Sequence, residues 1–266
     1  HRTARSHLPL PAGRAIFLAM CNLYNVTTTQ QAMIEWSRAM RDLSGNLEPT
    51  IDVYPDRLGP IVRNGHDGVR ELVRARWGLP SSSQALFQAT AKRVEKLRAK
   101  GKTVDDEEFK RLLKMEPDGG TTNVRNTSSK HWKRWLGVEH RCIVPVTSFA
   151  EPDPASKIEG GRTPNAWFAR DESRPLMAFA GIWVPQWESV RKVRDGLETL
   201  DLYGFLTTEP NGVVGPIHPK AMPVILTTSA EIETWLTAPW EGAKELQRPL
   251  PDDMLTIVPK PETVAV

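Results

Sequence analysis

The chain has 266 residues, of which 39% are hydrophobic and 25% are charged, and it contains two cysteines. No apolar run approaches the roughly 18 residues of a membrane-spanning helix, which excludes an integral membrane protein of that kind. Two cysteines exclude a disulfide scaffold and fit a reducing, cytoplasmic compartment. The formal net charge is +3, but three arginines lie in residues 1–19, which hold no acidic residue, so the remainder is neutral. A nucleic-acid partner therefore requires a local basic patch.

Residues 1–19 form a basic, proline-rich leader whose apolar segment AIFLAM is shorter than the roughly 7–15 residues of a secretory signal. We expect the leader to lie outside the native fold and Met20 to be the initiator. Removal of Met20 makes Cys21 the first residue, with an amine and a thiol on neighbouring carbons. An aldehyde can condense with the amine, and the thiol can then close a thiazolidine ring. The alternative is that Cys21 is a small buried hydrophobic residue.

The first predicted helix spans residues 28–40, where apolar residues recur at helical spacing after a threonine that can cap the helix. Residues 41–60 contain Gly, Pro and Asn without periodicity and predict a loop. A short strand is expected at 61–62 and an extended segment at 71–80.

Residues 84–116 predict a helical hairpin that is inserted into the domain. Its first arm is basic between 92 and 102, and acidic residues follow at 105–108. Two interpretations remain open for this insertion: a solvated surface feature, or a nucleic-acid contact made by the basic arm.

From residue 141 onward the sequence is dominated by short apolar, aromatic or β-branched runs. A capping box at 228–231 predicts a helix within this region. Strands and helices do not alternate strictly, so we expect an α+β fold with a largely antiparallel, barrel-like β core and flanking helices. Residues 20–266 then form a single domain with the insertion at about 84–116. The predicted strands are 141–147, 165–170, 176–184, 202–208, 222–228 and 255–258.

Four short segments in a fixed order resemble the SRAP family, the SOS response-associated peptidases or abasic-site processing proteins. The resemblance spans about residues 20–228, and it implies the SRAP-like fold. The segments are MCNLYNV at 20–26, RWGLP at 76–80, the stretch 121–153 with TTNVR and SFAEPD, and GPIHPKAMPVILT at 215–227.

The resemblance implies a protein of the DNA-damage response that binds abasic sites in single-stranded DNA. It further implies a covalent crosslink between the N-terminal cysteine and the open-chain sugar aldehyde. The catalytic positions of the family fall on Cys21, Asn123, Glu151 and His218. Its DNA-binding positions include Arg125 and Trp77, and the neighbouring Arg76 and Lys130 are further candidates.

The residue types themselves suit this chemistry. Ring opening and condensation need proton transfers, which Glu151 and His218 can supply. Asn123 can hold a hydroxyl group or the Cys21 backbone without carrying a charge. Arg125 can pair with a phosphate, and Trp77 offers a ring for stacking. We expect Cys142 to pack in the core.

The sequence also departs from the family pattern. Asn22 and Leu23 replace the Gly-Arg that follows the cysteine, which removes a DNA-contacting arginine. Thr127, Pro152 and Ala221 replace a glutamate, a tryptophan and an arginine of the motifs.

Other functions remain open. A thiol peptidase or autopeptidase would use Cys21 as nucleophile, His218 as base and Asn123 to orient it. A non-covalent single-strand binder would leave Cys21 inert, and a structural protein would have no site. Scattered histidines and two distant cysteines disfavour a metal site. We expect no metal, no cofactor and no membrane partner, and we expect a monomer in the cytoplasm that associates with the nucleoid when it acts on DNA.

Overall fold

The structure is a computed structural model that describes residues 21–48 and 50–262. The predictions for the leader at 1–19 and for Met20 lie outside the described residues. The helices are Gln30–Ser37 (α1), Ser83–Ala99 (α2), Asp106–Lys114 (α3), Lys130–Lys133 (α4), Ser229–Thr237 (α5) and Trp240–Ala243 (α6). The strands are Leu23–Thr27 (β1), Arg41–Asp42 (β2), Thr50–Val53 (β3), Leu58–Asn64 (β4), Arg70–Trp77 (β5), Asn123–Val124 (β6), Arg141–Val146 (β7), Ser148–Pro152 (β8), Asn165–Ala169 (β9), Met177–Val190 (β10), Leu197–Thr208 (β11), Met222–Pro223 (β12), Ile225–Leu226 (β13) and Thr256–Val258 (β14).

Five strands close into a barrel in the order β11, β10, β7, β4, β5 and back to β11. All of these pairs are antiparallel except β5 with β11, which run parallel where Trp77 lies opposite Tyr203. Alternate residues of each strand face inward, as the two-residue period of a strand requires. The predicted α+β fold with a largely antiparallel, barrel-like core and flanking helices is confirmed.

A second sheet, in the order β14, β9, β8, β1, β3, packs against the barrel through aromatic side chains. Tyr24 of β1 lies opposite Phe149 of β8. The Tyr24 ring is 5.2 Å from the ring of Trp77 and 5.8 Å from that of Phe179, centroid to centroid. This packing fixes the start of β1, and with it Cys21, against one end of the barrel.

The insertion is the predicted helical hairpin, formed by α2 and α3. Ser82 and Asp105 cap the two helices through their side chains. The base of the hairpin is tied to the barrel by Arg191, whose guanidinium donates to the Asp118 carbonyl at 3.3 Å and to the Gly78 carbonyl.

The predicted loop at 41–60 is wrong, because β2, β3 and the start of β4 lie within it. These segments pair with strands that are distant in sequence: β2 runs parallel to β5, and β3 runs antiparallel to β1. Strands of two to four residues are too short to carry a periodic pattern, so tertiary pairing alone defines them. The first helix is also shorter than predicted, since it ends before Arg38, which adopts a left-handed conformation with φ of 56°.

Candidate functional site

Cys21 and Glu151 are in direct contact. In the antiparallel register of β1 and β8, Leu23 lies opposite Ala150, which brings Cys21, two residues before β1, next to the Glu151 side chain. The Cys21 backbone nitrogen donates to Glu151 Oε1 at 3.2 Å and to Oε2 at 3.3 Å. Both residues are buried, so water cannot screen this contact.

Burial shifts the acid–base properties of both side chains. Desolvation raises the pKa of Glu151 to about 8, although the hydrogen bond from the Cys21 nitrogen acts in the opposite direction. Desolvation, reinforced by the neighbouring Glu151, raises the pKa of the Cys21 thiol well above its usual value. The thiol donates weakly to the Leu23 carbonyl at 3.9 Å. Glu151 therefore titrates near neutral pH and can both accept and return a proton, whereas the thiol stays protonated.

Asn123 lies on β6, opposite Phe205 of β11. The Phe205 ring stacks on Trp77 at 5.3 Å and lies 6.3 Å from the Tyr24 ring. The Asn123 amide nitrogen donates to the Thr122 hydroxyl at 3.0 Å. Asn123 is thus held at the end of the barrel against which β1 packs.

His218 lies in the loop that joins β11 to β12. Its Nδ1 donates to the Ala221 carbonyl at 2.8 Å, because a carbonyl oxygen can only accept. Nε2 then carries the lone pair in the neutral ring. This atom is buried and has no hydrogen-bond partner among the described residues. The loop thus presents an oriented imidazole with one nitrogen available.

Asn211 positions the His218 loop and was not found from the sequence. Its side-chain oxygen accepts from the backbone nitrogens of Val213 at 3.1 Å and Val214 at 2.9 Å, and its amide donates to the Leu250 carbonyl at 2.9 Å. The backbone nitrogen of His218 in turn donates to the Val214 carbonyl at 2.8 Å. The Asn-Gly pair at 211–212 signals a turn but does not indicate what the turn supports.

The predicted DNA-binding residues fall into different surroundings. Arg125 is exposed and lies 3.4 Å from the Glu209 carboxylate. Lys130 is exposed at the start of α4 and forms no ion pair within the described part of the chain. Arg76 lies 3.8 Å from Asp56 and 3.7 Å from Glu198, so carboxylates already neutralise its charge.

Trp77 does not offer the open ring that DNA stacking requires. Its exposed fraction is 0%, and its indole nitrogen donates to the Thr122 carbonyl at 3.0 Å. The stacking interpretation does not agree with this placement, because a strand position that faces the interior of the barrel has no access to a base. The side chain instead supports the residue before Asn123.

Cys142 packs in the core as predicted, and burial raises the pKa of its thiol. Within residues 21–48 and 50–262, no group of three or more His, Cys, Asp or Glu side chains is arranged to hold a metal ion. Over the same residues, none of the helices combines the length and the apolar character needed to cross a membrane.

The sequence profile of a DNA-damage-associated family matches more than half of the chain. The sequence profile of the SOS response associated peptidase (SRAP) family matches residues 113–265, a range that holds Asn123, Glu151 and His218 but not Cys21. Because this range is more than half of the chain, the chain belongs to the SRAP family. No curated protein sequence matches it.

Three solved structures share the fold. A protein from Bordetella bronchiseptica has a TM-score of 0.58 and 22% identity over 90% of this chain and 100% of its own. A protein from Bacteroides thetaiotaomicron has a TM-score of 0.56 and 18% identity, over 90% of this chain and 92% of its own. A phage-related protein from Bordetella bronchiseptica has a TM-score of 0.59 and 16% identity, over 91% of this chain and 95% of its own. At these identities the likeness concerns the fold alone.

Proposed function

We propose that this protein binds abasic sites in single-stranded DNA and forms a covalent thiazolidine crosslink to them through Cys21, once the residues up to Met20 have been removed. The observation that carries the proposal is the contact between the Cys21 nitrogen and the buried Glu151 carboxylate. In a chain that begins at Cys21, this nitrogen is an amine beside a group that can take and return its proton.

The proposed reaction balances with these two residues. Glu151 takes a proton from the Cys21 ammonium, and the free amine attacks the C1′ aldehyde of the open sugar. Glu151 returns a proton to the hydroxyl of the resulting carbinolamine, which leaves as water and gives an iminium ion. The Cys21 sulfur then adds to this carbon and gives its proton to the Glu151 carboxylate, which closes the five-membered ring. One water molecule is released overall.

The backbone at Cys21 supports removal of the preceding residue. Cys21 has a φ of 28°, a value that residues with a Cβ rarely adopt and that costs about 1–3 kcal/mol. The φ torsion requires a preceding carbonyl carbon. When Cys21 is the first residue, this torsion and its cost no longer exist.

The remaining candidates supply positioning and proton transfer. The free Nε2 of His218 can take up a proton, and the imidazolium that results suits protonation of the ring oxygen when the sugar opens. Asn123 suits a neutral hydrogen bond to a sugar hydroxyl. Exposed Arg125 and Lys130 suit phosphate contacts. All of these residues belong to one chain, so the proposed reaction needs no second protomer, and we propose that the protein acts as a monomer in the cytoplasm.

The SRAP family name points to peptidase activity as a second candidate. The geometry favours it less, because the Cys21 thiol is shifted toward its protonated form and its hydrogen bond is to a backbone carbonyl. A thiol peptidase needs the thiolate, which a paired histidine or a lowered pKa supplies. We therefore rank crosslinking through the amine above peptide hydrolysis.

The decisive experiment compares two chains with abasic single-stranded DNA on a denaturing gel. The chain that begins at Cys21 is expected to form a band whose mass equals protein plus DNA minus one water. The chain that retains Met20 is the matched control, because its nitrogen is an amide and cannot condense. Cys21→Ala is expected to form at most an imine that survives only after borohydride reduction.

Other outcomes favour the alternatives. A complex on a native gel that disappears on the denaturing gel indicates non-covalent binding. Hydrolysis of an unrelated peptide that Cys21→Ala abolishes, without any adduct, indicates a peptidase.

A further inference from the structure

The first arm of the helical hairpin carries a stripe of uncompensated positive charge. Residues 83–104 contain six basic residues and one acidic residue, Glu95. Two of the basic residues are used internally, since Arg93 pairs with Glu116 at 2.9 Å and Arg98 donates to the Val104 carbonyl at 2.9 Å. Both contacts hold the hairpin together, so these arginines have a structural role.

Lys92, Lys96 and Lys100 have no such role. All three are exposed, and none forms an ion pair with any described residue. Their spacing of four residues places them on one face of α2, about 6 Å apart along its axis. Like charges at this spacing repel and weaken a helix, so the stripe opposes the stability of the element that carries it.

The second arm shows the opposite arrangement. In α3, Lys110 pairs with Glu107 at 2.8 Å and Arg111 pairs with Glu108 at 2.6 Å, in both cases three residues apart. These pairs compensate charges within α3, whereas Lys92, Lys96 and Lys100 of the first arm face solvent and form no ion pair with a described residue. Residues that break a local rule without compensation are expected where function requires them.

The base of the hairpin is joined rigidly to the candidate site. The insertion leaves the barrel just after Trp77 and returns just before Asn123, and Leu79 and Thr121 pair across its base. The Asp118 carboxylate closes this base. It accepts hydrogen bonds from the Ser81 backbone nitrogen at 2.9 Å and from the Ser81 hydroxyl at 2.7 Å. A DNA strand bound beside Asn123 therefore lies next to the base of the hairpin, whose first arm carries the lysine stripe further out.

We propose that Lys92, Lys96 and Lys100 bind the phosphate backbone of the DNA that flanks the abasic site, as a second contact outside the reaction centre. This inference rests on the proposed function. Exposed lysines in a row complement a polyphosphate chain in charge and repeat, and such contacts add affinity without reading sequence. The hairpin thus lengthens the binding footprint of the protein along DNA.

The test measures DNA affinity against salt concentration for three proteins that begin at Cys21. These are the unmodified chain, the stripe variant K92Q/K96Q/K100Q and the matched control K110Q/R111Q/K114Q, which loses the same charge from the other arm. The probes are single strands of about 20 and about 5 nucleotides that carry a tetrahydrofuran abasic analogue, which binds without crosslinking. Thermal unfolding by circular dichroism checks that all three proteins fold.

On the long probe, the stripe variant is expected to lose about 2 from the magnitude of the slope of log K against log salt, as three phosphate contacts predict for single strands. The control variant keeps the slope of the unmodified chain, and the short probe binds all three proteins equally. If the stripe variant and the unmodified chain have equal salt slopes, the inference is overturned. That outcome would favour an acidic protein as the partner of the stripe. An equal loss in the control overturns it too, because it indicates a general field effect.

The proposed function is tested separately by crosslinking of the short strand with a true abasic site. Absence of an adduct there rejects the crosslinking chemistry. The salt slopes on the long probe then still decide whether the stripe contacts DNA.

Discussion

Both carboxylate oxygens of Glu151 accept from the Cys21 nitrogen, which lies 3.2 Å from Oε1 and 3.3 Å from Oε2. Replacement by glutamine keeps an acceptor for this nitrogen but removes the proton transfer. We expect Glu151→Gln to slow crosslinking by about 10²–10⁴-fold, the usual range for general acid–base catalysis. Its affinity for the tetrahydrofuran analogue should stay within about twofold. Single-turnover rates on denaturing gels and fluorescence anisotropy measure the two quantities, and a parallel loss of both would contradict an acid–base role.

The raised pKa of Glu151 predicts how stability changes with pH in the chain that retains Met20. The group titrates near 4.5 when unfolded and near 8 when folded, so between these values the native state binds more protons than the unfolded state. The contribution of protonated Glu151 to the free energy of unfolding is therefore complete below about pH 4.5. It is lost as pH rises through 8, and the loss is on the order of a few kcal/mol. Urea unfolding at pH 5 and pH 8 measures it.

The chain that begins at Cys21 should behave differently. Its ammonium favours the charged form of Glu151 and lowers the pKa of that group. The pH range over which stability is lost therefore becomes narrower. The difference in unfolding free energy between pH 5 and pH 8 is expected to be smaller than in the longer chain. Glu151→Gln is the control that removes the group from both chains. The same pH dependence in both chains would show that the amine does not interact with Glu151.

Long elements of the fold could be predicted from the sequence, whereas short paired strands could not. The charge pattern and the helical spacing of apolar residues predict the hairpin formed by α2 and α3. The capping box of Thr228 and Glu231 predicts the start of α5. By contrast, β2 has two residues and exists only because it pairs with β5. The closure of the barrel between β5 and β11 is likewise a property of tertiary packing.

Arg125 is expected to contact a phosphate, and its neighbour Glu209 should oppose that contact. The two side chains lie 3.4 Å apart and are both exposed. Arg125→Ala should weaken binding of single-stranded DNA and reduce the magnitude of the salt slope by about 0.7. Glu209→Gln should strengthen binding, because it removes a competing negative charge. An unchanged salt slope in Arg125→Ala would indicate that this side chain faces away from the DNA.

Asn211 is expected to act on the reaction through the His218 loop. Asn211→Ala leaves the nitrogens of Val213 and Val214 and the carbonyl of Leu250 without their partner. We expect a loss of about 2–4 kcal/mol in unfolding free energy and slower crosslinking at temperatures where the variant is folded. The matched control is Asp171, which accepts from the Ser173 backbone nitrogen at 2.7 Å in an exposed turn. Asp171→Ala should cost less than about 1 kcal/mol, with no change in rate. A normal crosslinking rate in folded Asn211→Ala would show that the loop needs no such support.

The candidate site could be predicted from the sequence only through motifs that resemble those of the SRAP family. Glu151 and His218 stand in these motifs and are of residue types that transfer protons, and the antiparallel register of β1 and β8 then brings Glu151 to Cys21. Burial is not visible in the same way. Arg76 and Trp77 are adjacent in the sequence, yet one is neutralised by carboxylates and the other is enclosed in the barrel.

Trp77 is therefore expected to support Asn123 rather than to stack on DNA. Trp77→Phe keeps an aromatic ring against Phe205 but removes the hydrogen bond from the indole nitrogen to the Thr122 carbonyl. We expect a loss of about 1–3 kcal/mol in unfolding free energy, slower crosslinking and unchanged affinity for the tetrahydrofuran analogue. Trp132, which is partly exposed, is the matched comparison. Weaker analogue binding in Trp77→Phe but not in Trp132→Phe would restore a stacking role for Trp77.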